Sequence, residues 1–168
     1  MKQLIRVSFI ISIILSLAGC GVYSFTGASI SPEVKTVSID FFPAYAPLAP
    51  PIAGQLFTED LKNIFLSQTN LVLVQTDGDL QFEGAITNYT TAPVAIQGNE
   101  TAALTRVSMT VKVKFTNQKE EGQDFETTFT RFEDFETTTD LSSVEEELLN
   151  SINDQLVQDI FNKSVTNW

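Results

Sequence analysis

The sequence contains no histidine and a single cysteine, Cys20. Zinc sites built from histidine and cysteine are therefore excluded. Ser–His and Cys–His nucleophilic pairs are excluded as well, because both need an imidazole as the base. No Gly-Lys-Ser or Gly-Lys-Thr sequence occurs, so the glycine-rich loop that cradles phosphates in nucleotide enzymes is also missing. We therefore expect a protein that is not an enzyme, with no cofactor and no metal ion.

The only long apolar run lies at the N-terminus. It covers residues 4–17 and is well short of the ~20 residues that a membrane-spanning helix needs. The basic residue Lys2 precedes this run and Arg6 lies near its start. The small residues Ala18 and Gly19 lie between the run and Cys20. A basic start, a short apolar run and small residues before a cysteine are typical of a bacterial lipoprotein signal peptide.

The signal peptide divides the chain into three predicted parts. Residues 1–19 form the signal peptide, residues 20–31 a lipidated tether whose Cys20 carries acyl chains such as palmitate, and residues 32–168 a single α+β domain. More than one acyl chain is expected, because a single chain holds a protein on a membrane only weakly. Two alternatives stay open: an ordinary signal peptide followed by a chance cysteine, and a short buried helix.

Basic residues are few. The formal net charge of the whole chain is −11, and loss of Lys2 and Arg6 with the signal peptide brings it to −13, because all 21 acidic residues lie beyond residue 19. Nucleic-acid binding is excluded as a function, because it needs a basic face that neutralises phosphates. An acidic surface is also not attracted to anionic lipid head groups, so the acyl chains are the expected link to the membrane.

The spacing of apolar residues predicts the order strand, helix, three or four strands, helix. The predicted strands cover residues 34–42, 71–74, 80–87, 107–116 and a segment from residue 125, and the predicted helices cover residues 52–67 and 141–163. Residues 43–51 are too rich in proline for a helix interior or a central strand. In the last strand, Phe132 falls on the face opposite Phe125 and Phe129. This predicts either a bulge near residues 130–131 or one exposed phenylalanine.

An antiparallel sheet of this kind has one apolar face, which must be covered by another layer. The two amphipathic helices are the available cover. We therefore predict an α+β fold, a two-layer sandwich in which two amphipathic helices pack on one face of a mostly antiparallel four-stranded sheet.

Residues 88–103 form a long segment with few charges between two predicted strands. Long loops tipped with apolar groups often bind partners, so Tyr89, Val94, Ile96 and the neighbouring Arg106 are the candidate partner-contact residues. Two alternatives stay open: the strands extend and pair through this segment, and Arg106 forms a structural ion pair.

Clustered carboxylates are the remaining candidates for chemistry. Asp77-Gly78-Asp79 lacks the other ligands of a calcium loop and is expected to be a turn. Residues 145–147 are three consecutive glutamates, which are expected to stabilise the first turn of the last helix through its dipole. The acidic group within residues 124–136 is expected to be a solvated face, and a face that binds a cation or a basic partner is the alternative.

Three segments of the chain carry a resemblance to known proteins. They read Leu-Ala-Gly-Cys-Gly-Val-Tyr-Ser-Phe-Thr-Gly at 17–27, Gln-Phe-Glu-Gly-Ala-Ile-Thr-Asn-Tyr at 81–89, and Gln-Leu-Val-Gln-Asp-Ile-Phe-Asn-Lys at 155–163 with Asn-Trp at 167–168. Together they resemble the LptE family, the lipopolysaccharide-assembly lipoproteins of the Gram-negative outer membrane. The likeness is closest to members from the Bacteroidetes lineage and covers essentially the whole mature chain.

The resemblance implies a non-enzymatic accessory with two helices against a four-stranded sheet. Such proteins sit inside, and help assemble, the large LptD-type β-barrel translocon that delivers lipopolysaccharide to the outer leaflet. Gly21 after the cysteine is similar to outer-membrane-sorted lipoproteins, which implies a lipid-anchored protein on the periplasmic side of the outer membrane. Some members bind lipopolysaccharide directly through basic side chains, and no residue of this acidic domain is matched to those positions.

A second function stays open, that of a periplasmic lipoprotein that binds a small hydrophobic or glycan ligand between sheet and helices. This alternative predicts a pocket lined by Phe82, Met109 and Phe129, whereas a translocon plug predicts that the same positions are filled. A third function is that of an envelope scaffold whose partner is not a barrel.

Overall fold

The computed structural model describes residues 30–94 and 103–165. The signal peptide, Cys20, Ile96 and the last three residues lie outside the described residues. The elements in chain order are β1 (Thr36–Ile39), α1 (Ala53–Gln68), β2 (Val72–Val74), β3 (Leu80–Pro93), β4 (Leu104–Asn117), β5 (Phe125–Glu136) and α2 (Leu141–Val165). Both predicted helices are confirmed, with bounds that differ by at most two residues from those predicted.

The strands form one five-stranded sheet in the order β2-β1-β3-β4-β5. β1 pairs in parallel with both β2 and β3, whereas the β3–β4 and β4–β5 pairs are antiparallel. The predicted four-stranded sheet is therefore wrong in its strand number, because this mixed sheet has a fifth, three-residue strand at its edge. The helix α1 explains the difference: it returns the chain to the starting end of β1, so β2 enters the sheet parallel to β1.

The chain crosses over β1 on its way from β2 to β3. These two strands lie on opposite sides of β1, and only residues 75–79 connect them. Gly78 makes the crossing: a Cβ at this position would stand 2.8 Å from the carbonyl carbon of Val37 and nearer still to the backbone nitrogen of Ser38. The segment expected to be a turn is thus a close crossing over the first strand.

Both helices pack on the same face of the sheet, as predicted. α1 and α2 contact each other, and α2 also contacts β4 and β5. A chain of phenylalanine rings with centroids 4.9–5.1 Å apart runs through the core and consists of Phe161, Phe65, Phe82, Phe115 and Phe125. The core is therefore continuous between the helix layer and the sheet. Neither helix in the described part of the chain is apolar enough over a sufficient length to cross a membrane.

The register irregularity of the sheet lies in β3 and not in β5. The pairing of β3 with β4 shifts between Ile86 and Asn88, whereas β5 pairs with β4 without a shift along its whole length. The bulge predicted near residues 130–131 is therefore wrong, and the alternative is confirmed: Phe132 is 44% exposed. The shift in β3 returns Tyr89 to the helix-facing side, because one extra residue inverts the alternation of side chains.

Asp140 caps the start of α2. Its Oδ1 accepts a hydrogen bond from the N–H of Ser142, and its carbonyl accepts from the N–H and the hydroxyl of Ser143, so Asp140 is the N-cap residue. The helix begins at the next residue, which places Glu145–Glu147 in its second turn. The expectation that these glutamates stabilise the first turn is therefore wrong, because the dipole effect is concentrated in that turn.

Candidate partner-contact site

The β3–β4 hairpin includes the candidates Tyr89 and Arg106, and Val94 directly follows β3. Its strands pair as far as Pro93 and Thr105, so residues 88–93 belong to a strand and not to a loop. The alternative in which the strands extend is therefore correct for this part of the segment. Residues 95–102, with Ile96, lie outside the described residues.

Tyr89 is 3% exposed and lies on the helix-facing side of β3. Its hydroxyl donates a hydrogen bond to Glu145 Oε1 of α2 at 3.2 Å. Burial, and after it the neighbouring carboxylate of Glu145, raise the pKa of Tyr89 above its ordinary value, so the phenol stays protonated and remains a donor. This contact joins the far half of the hairpin to the helix layer.

Arg106 lies on the opposite, outer face of the sheet. Its guanidinium donates to both carboxylate oxygens of Asp134 at 2.7 and 2.8 Å and lies 3.5 Å from the centroid of the Phe132 ring. The hydrogen bond from Arg106 lowers the pKa of Asp134 below its ordinary value. Arg106 therefore forms the structural ion pair of the alternative interpretation and also covers the exposed phenylalanine. Its contact with a partner stays a prediction.

The three described residues among the candidates thus lie at one end of the sheet without forming a single surface. Val94 is half-buried at the end of β3, while Tyr89 faces the helices and Arg106 lies on the outer face. Contact of this end with a partner stays a prediction.

The pocket that the ligand-binding alternative requires is filled. Phe82 and Met109 are at most 1% exposed, and the Phe82 ring lies 4.9 Å, between centroids, from each of the Phe65 and Phe115 rings. Phe129 is half-buried against the same core. At these positions the described residues leave no cleft between sheet and helices.

Sequence reasoning missed the ion pairs on the outer face of the sheet. Lys114 lies 3.4 Å from Glu83, and Lys112 pairs with Glu126. These four residues, together with Tyr45, border a shallow cavity of about 390 Å³. The alternation within each strand contained the signal, because the basic residues of β4 and the acidic residues of its neighbours lie on the same polar face.

One buried polar contact joins the two helices. Asn153 of α2 is fully buried, and its Nδ2 donates to Asp60 Oδ2 of α1 at 3.0 Å. Burial raises the pKa of Asp60, and Asn153 Oδ1 has no hydrogen-bond partner among the described residues. Within residues 30–94 and 103–165, no group of three or more acidic side chains is placed to hold a metal ion.

Comparison with protein families gives one match. The family model LptE, whose description is lipopolysaccharide-assembly, matches residues 34–164. This range includes all five strands, the whole of α1 and all but the last residue of α2. No curated protein sequence matches the chain significantly.

Solved structures of bacterial proteins are similar to this chain. A minor lipoprotein from Acinetobacter baumannii is 16% identical, with 78% of this chain and 92% of that chain covered and a TM-score of 0.51. A hypothetical protein from Chlamydia trachomatis is 10% identical, with 78% and 98% covered and a TM-score of 0.52. The rare lipoprotein B from Shewanella oneidensis is 14% identical, with 76% and 92% covered and a TM-score of 0.49. The first two likenesses show a common fold.

Proposed function

The chain belongs to the LptE family of lipopolysaccharide-assembly proteins, and from this membership we propose that it plugs, and helps to assemble, the β-barrel translocon for lipopolysaccharide in the outer membrane. The family consists of outer-membrane lipoproteins without catalytic activity. The match over residues 34–164 carries the proposal, because it spans both layers of the sandwich. The partner in this proposal is a large LptD-type barrel, and the chain itself is not an enzyme.

A solidly packed domain suits a plug. The central residues of the core, such as Phe82, Met109 and Leu156, are buried, and interiors packed in this way resist deformation. A plug has to keep its shape while substrate moves past it through the barrel. The same packing leaves no place, at these positions, for the small hydrophobic or glycan ligand of the alternative function.

The proposed lipid anchor fits the position of the first described residue. Ile30 is half-buried and borders a cavity near the C-terminal end of α1 with Val34 and Leu71. The roughly ten residues that join it to Cys20 reach at most about 35 Å when extended. Acyl chains on Cys20 would therefore keep the domain close to the inner leaflet of the outer membrane, on the periplasmic side.

The end of the β3–β4 hairpin is the proposed contact with the wall of the barrel. Val94 lies at this end, directly after the last residue of β3, and the proposal includes Ile96, which lies outside the described residues. Tyr89 acts here as a positioning residue, because its hydrogen bond to Glu145 holds the hairpin against α2. Arg106 holds the neighbouring strand through Asp134.

Ion pairs occupy most of the basic side chains of the domain. Of the eight Lys and Arg residues beyond residue 19, five lie in ion pairs with acidic residues: Arg106, Lys112, Lys114, Lys119 and Arg131. A phosphate group of lipopolysaccharide would have to displace a carboxylate at each of these positions. We therefore propose that this acidic domain contacts the barrel directly. A barrel with a basic lumen would complement the charge of the domain best.

Co-purification tests the proposal. The tagged, lipidated chain is extracted with detergent from the membranes of its native host, and the proteins that co-purify are identified by mass spectrometry. We expect a large outer-membrane β-barrel at a ratio near one to one. Recovery of the chain alone, or together with sugar-uptake proteins, contradicts the proposal.

Two further measurements test the role of the lipid anchor and the role of the chain in the outer membrane separately. Cys20→Ala removes the lipid attachment site, so this variant is expected in the soluble periplasmic fraction. Depletion of the wild-type chain is expected to weaken the outer-membrane barrier on every growth medium. An effect confined to particular nutrients would instead indicate a ligand-binding function.

A further inference from the structure

Four large apolar side chains are exposed in the segment between β1 and α1. Phe41, Tyr45, Leu48 and Ile52 expose 62, 73, 70 and 47% of their surface, and we call these four residues the apolar ridge. Soluble domains usually expose large apolar residues singly, whereas these four lie within twelve consecutive residues of the chain. The ridge therefore needs an explanation in terms of a partner.

The ridge is held on a rigid backbone. Prolines occupy positions 43, 47, 50 and 51, and each fixes its own φ. Phe42 and Ala46, which neighbour exposed residues of the ridge, are buried, and the N–H of Phe42 donates to Thr58 Oγ1 of α1 at 3.0 Å. The backbone that carries the exposed side chains is thus held in place without a partner, which lowers the entropic cost of binding one.

The ridge also lies in an uncharged part of a strongly acidic chain. Residues 41–58 and residues 84–94 contain no charged residue, although the net charge of the chain is −11. The structure brings these two stretches together, because the N–H of Tyr45 donates to the carbonyl of Ile86 in β3 at 2.9 Å. The two uncharged stretches therefore meet on one side of the molecule.

Ion-paired side chains border the ridge at Tyr45. This residue shares the shallow cavity on the outer face with Lys112, Lys114, Glu83 and Glu126, which pair with one another. A centre of apolar side chains with a rim of polar groups is the anatomy of a protein–protein interface. The surroundings of the ridge thus suit a protein partner.

From this arrangement we infer that the apolar ridge docks the domain onto an uncharged, apolar patch of a partner protein. The inference rests on the proposed function, and it assigns that patch to the inner wall of the barrel. Both the ridge and the hairpin end would then contact the barrel.

Two other occupants fit the ridge less well. The hydrocarbon of a bilayer has no groups that could pair with the charged side chains beside Tyr45. Anionic head groups also repel an acidic domain. A second copy of the chain carries the same excess of acidic charge, so two copies repel each other.

Site-specific photo-cross-linking in the native host tests this docking surface. A photoreactive phenylalanine derivative is placed at Tyr45 or at Leu48, whose side chains are 73 and 70% exposed. The control position is Leu66 of α1, which is apolar and 48% exposed but lies outside the ridge. We expect cross-links to the co-purifying barrel from positions 45 and 48, at least tenfold above those from position 66.

Recovery of the barrel gives an independent readout. The double variant Tyr45→Ser with Leu48→Ser is expected to recover at least tenfold less barrel, because truncation of apolar residues at the centre of an interface weakens binding most. Its midpoint of thermal unfolding is expected to match that of the wild type. Leu66→Ser is the matched control and is expected to recover as much barrel as the wild type.

The outcomes distinguish the docking surface from the proposed function. Cross-links to lipid only, or only between two copies of the chain, overturn the inference, and so does undiminished recovery of the barrel with the double variant. In these cases the wild-type chain still co-purifies with the barrel, so the proposed function stands. If the wild-type chain recovers no barrel, the proposed function fails and the docking inference fails with it.

Discussion

The N–H of Gly78 donates a hydrogen bond to Ser38 Oγ at 3.2 Å, at the point where the chain crosses over β1. No Cβ fits at position 78, because it would stand 2.8 Å from the carbonyl carbon of Val37. β2 and β3 reach opposite sides of β1 only through this crossing. The order of the parallel strands therefore depends on this one glycine.

Gly78→Ala is expected to lower the free energy of unfolding by about 2–4 kcal/mol, because the added methyl group overpacks a contact between two backbones. Gly122→Ala is the control. Gly122 has a φ of +85° and open space around its missing Cβ, so its substitution costs only the left-handed backbone, about 1–2 kcal/mol. Chemical denaturation of the mature chain measures both variants. A larger loss for Gly122→Ala than for Gly78→Ala would contradict the close crossing.

Asp79 joins the start of β1 to the loop after β4. Its Oδ2 accepts hydrogen bonds from the N–H groups of Lys35 and Thr36 at 2.8 and 3.0 Å, and its Oδ1 lies 3.2 Å from Lys119 Nζ. These bonds, and first of all the one from Lys35, lower the pKa of Asp79 to about 2.

The lowered pKa predicts a dependence of stability on pH. The unfolded chain binds a proton at Asp79 near pH 3.9, so the stabilisation is complete above about pH 4 and disappears as the pH falls through about 2. Asp79→Asn is expected to lose about 1–2 kcal/mol at pH 7 and to show a flatter pH profile below pH 4. Asp77→Asn is the control, because its φ of 55° suits asparagine. Equal profiles for wild type and Asp79→Asn would refute the assignment.

Asp60→Asn is expected to stabilise the protein at pH 7 by about 1 kcal/mol. The new amide supplies a donor for Asn153 Oδ1, which has no partner among the described residues, and it removes a carboxylate whose pKa is raised by burial. Since a raised pKa makes the wild type less stable as the pH rises through it, the gain is expected to be smaller at pH 4. Urea unfolding at both pH values measures this, with Glu147→Gln on the exposed side of α2 as the control. A less stable Asp60→Asn at pH 7 would show that the two amides do not pair.

Tyr89→Phe separates a positioning role from a direct contact. The variant keeps the buried ring but loses the hydroxyl that donates to Glu145, so we expect about 1 kcal/mol less stability and unchanged recovery of the barrel at 25 °C. Val94→Ser, at the end of the hairpin, is expected to recover less barrel with little loss of stability. Reduced recovery with Tyr89→Phe at unchanged stability would instead indicate that the hydroxyl itself contacts the partner.

Local sequence patterns located the helices and most of the strands. Helical spacing over residues 52–67 and 141–163 predicted α1 and α2, and the alternation over residues 107–116 predicted most of β4. The alternation of apolar and polar residues was not sufficient to predict the surroundings of Phe132. Its position on the outer face was visible, but only the pairing of β5 with β4 showed that no bulge intervenes and that Arg106 covers the ring.

The candidate site was predicted less completely than the fold. The uncharged stretch around residue 90 was evident, yet the burial of Tyr89 depends on a register shift between Ile86 and Asn88 of β3. The apolar ridge had a signal in the proline-rich, uncharged residues 41–58. That signal did not show which apolar residues the fold buries, such as Phe42, and which it leaves exposed, such as Phe41.

The sequence by itself determined the acidic charge of this protein, its lack of histidine and its membership of the LptE family. Only the tertiary structure decided the strand order, the crossing at Gly78 and the exposure of the apolar ridge. Composition and periodicity are properties of residues that are close in the chain. Strand order and exposure depend on contacts between distant residues, such as the hydrogen bond from Tyr45 to Ile86, and no local pattern specifies which distant residues will meet.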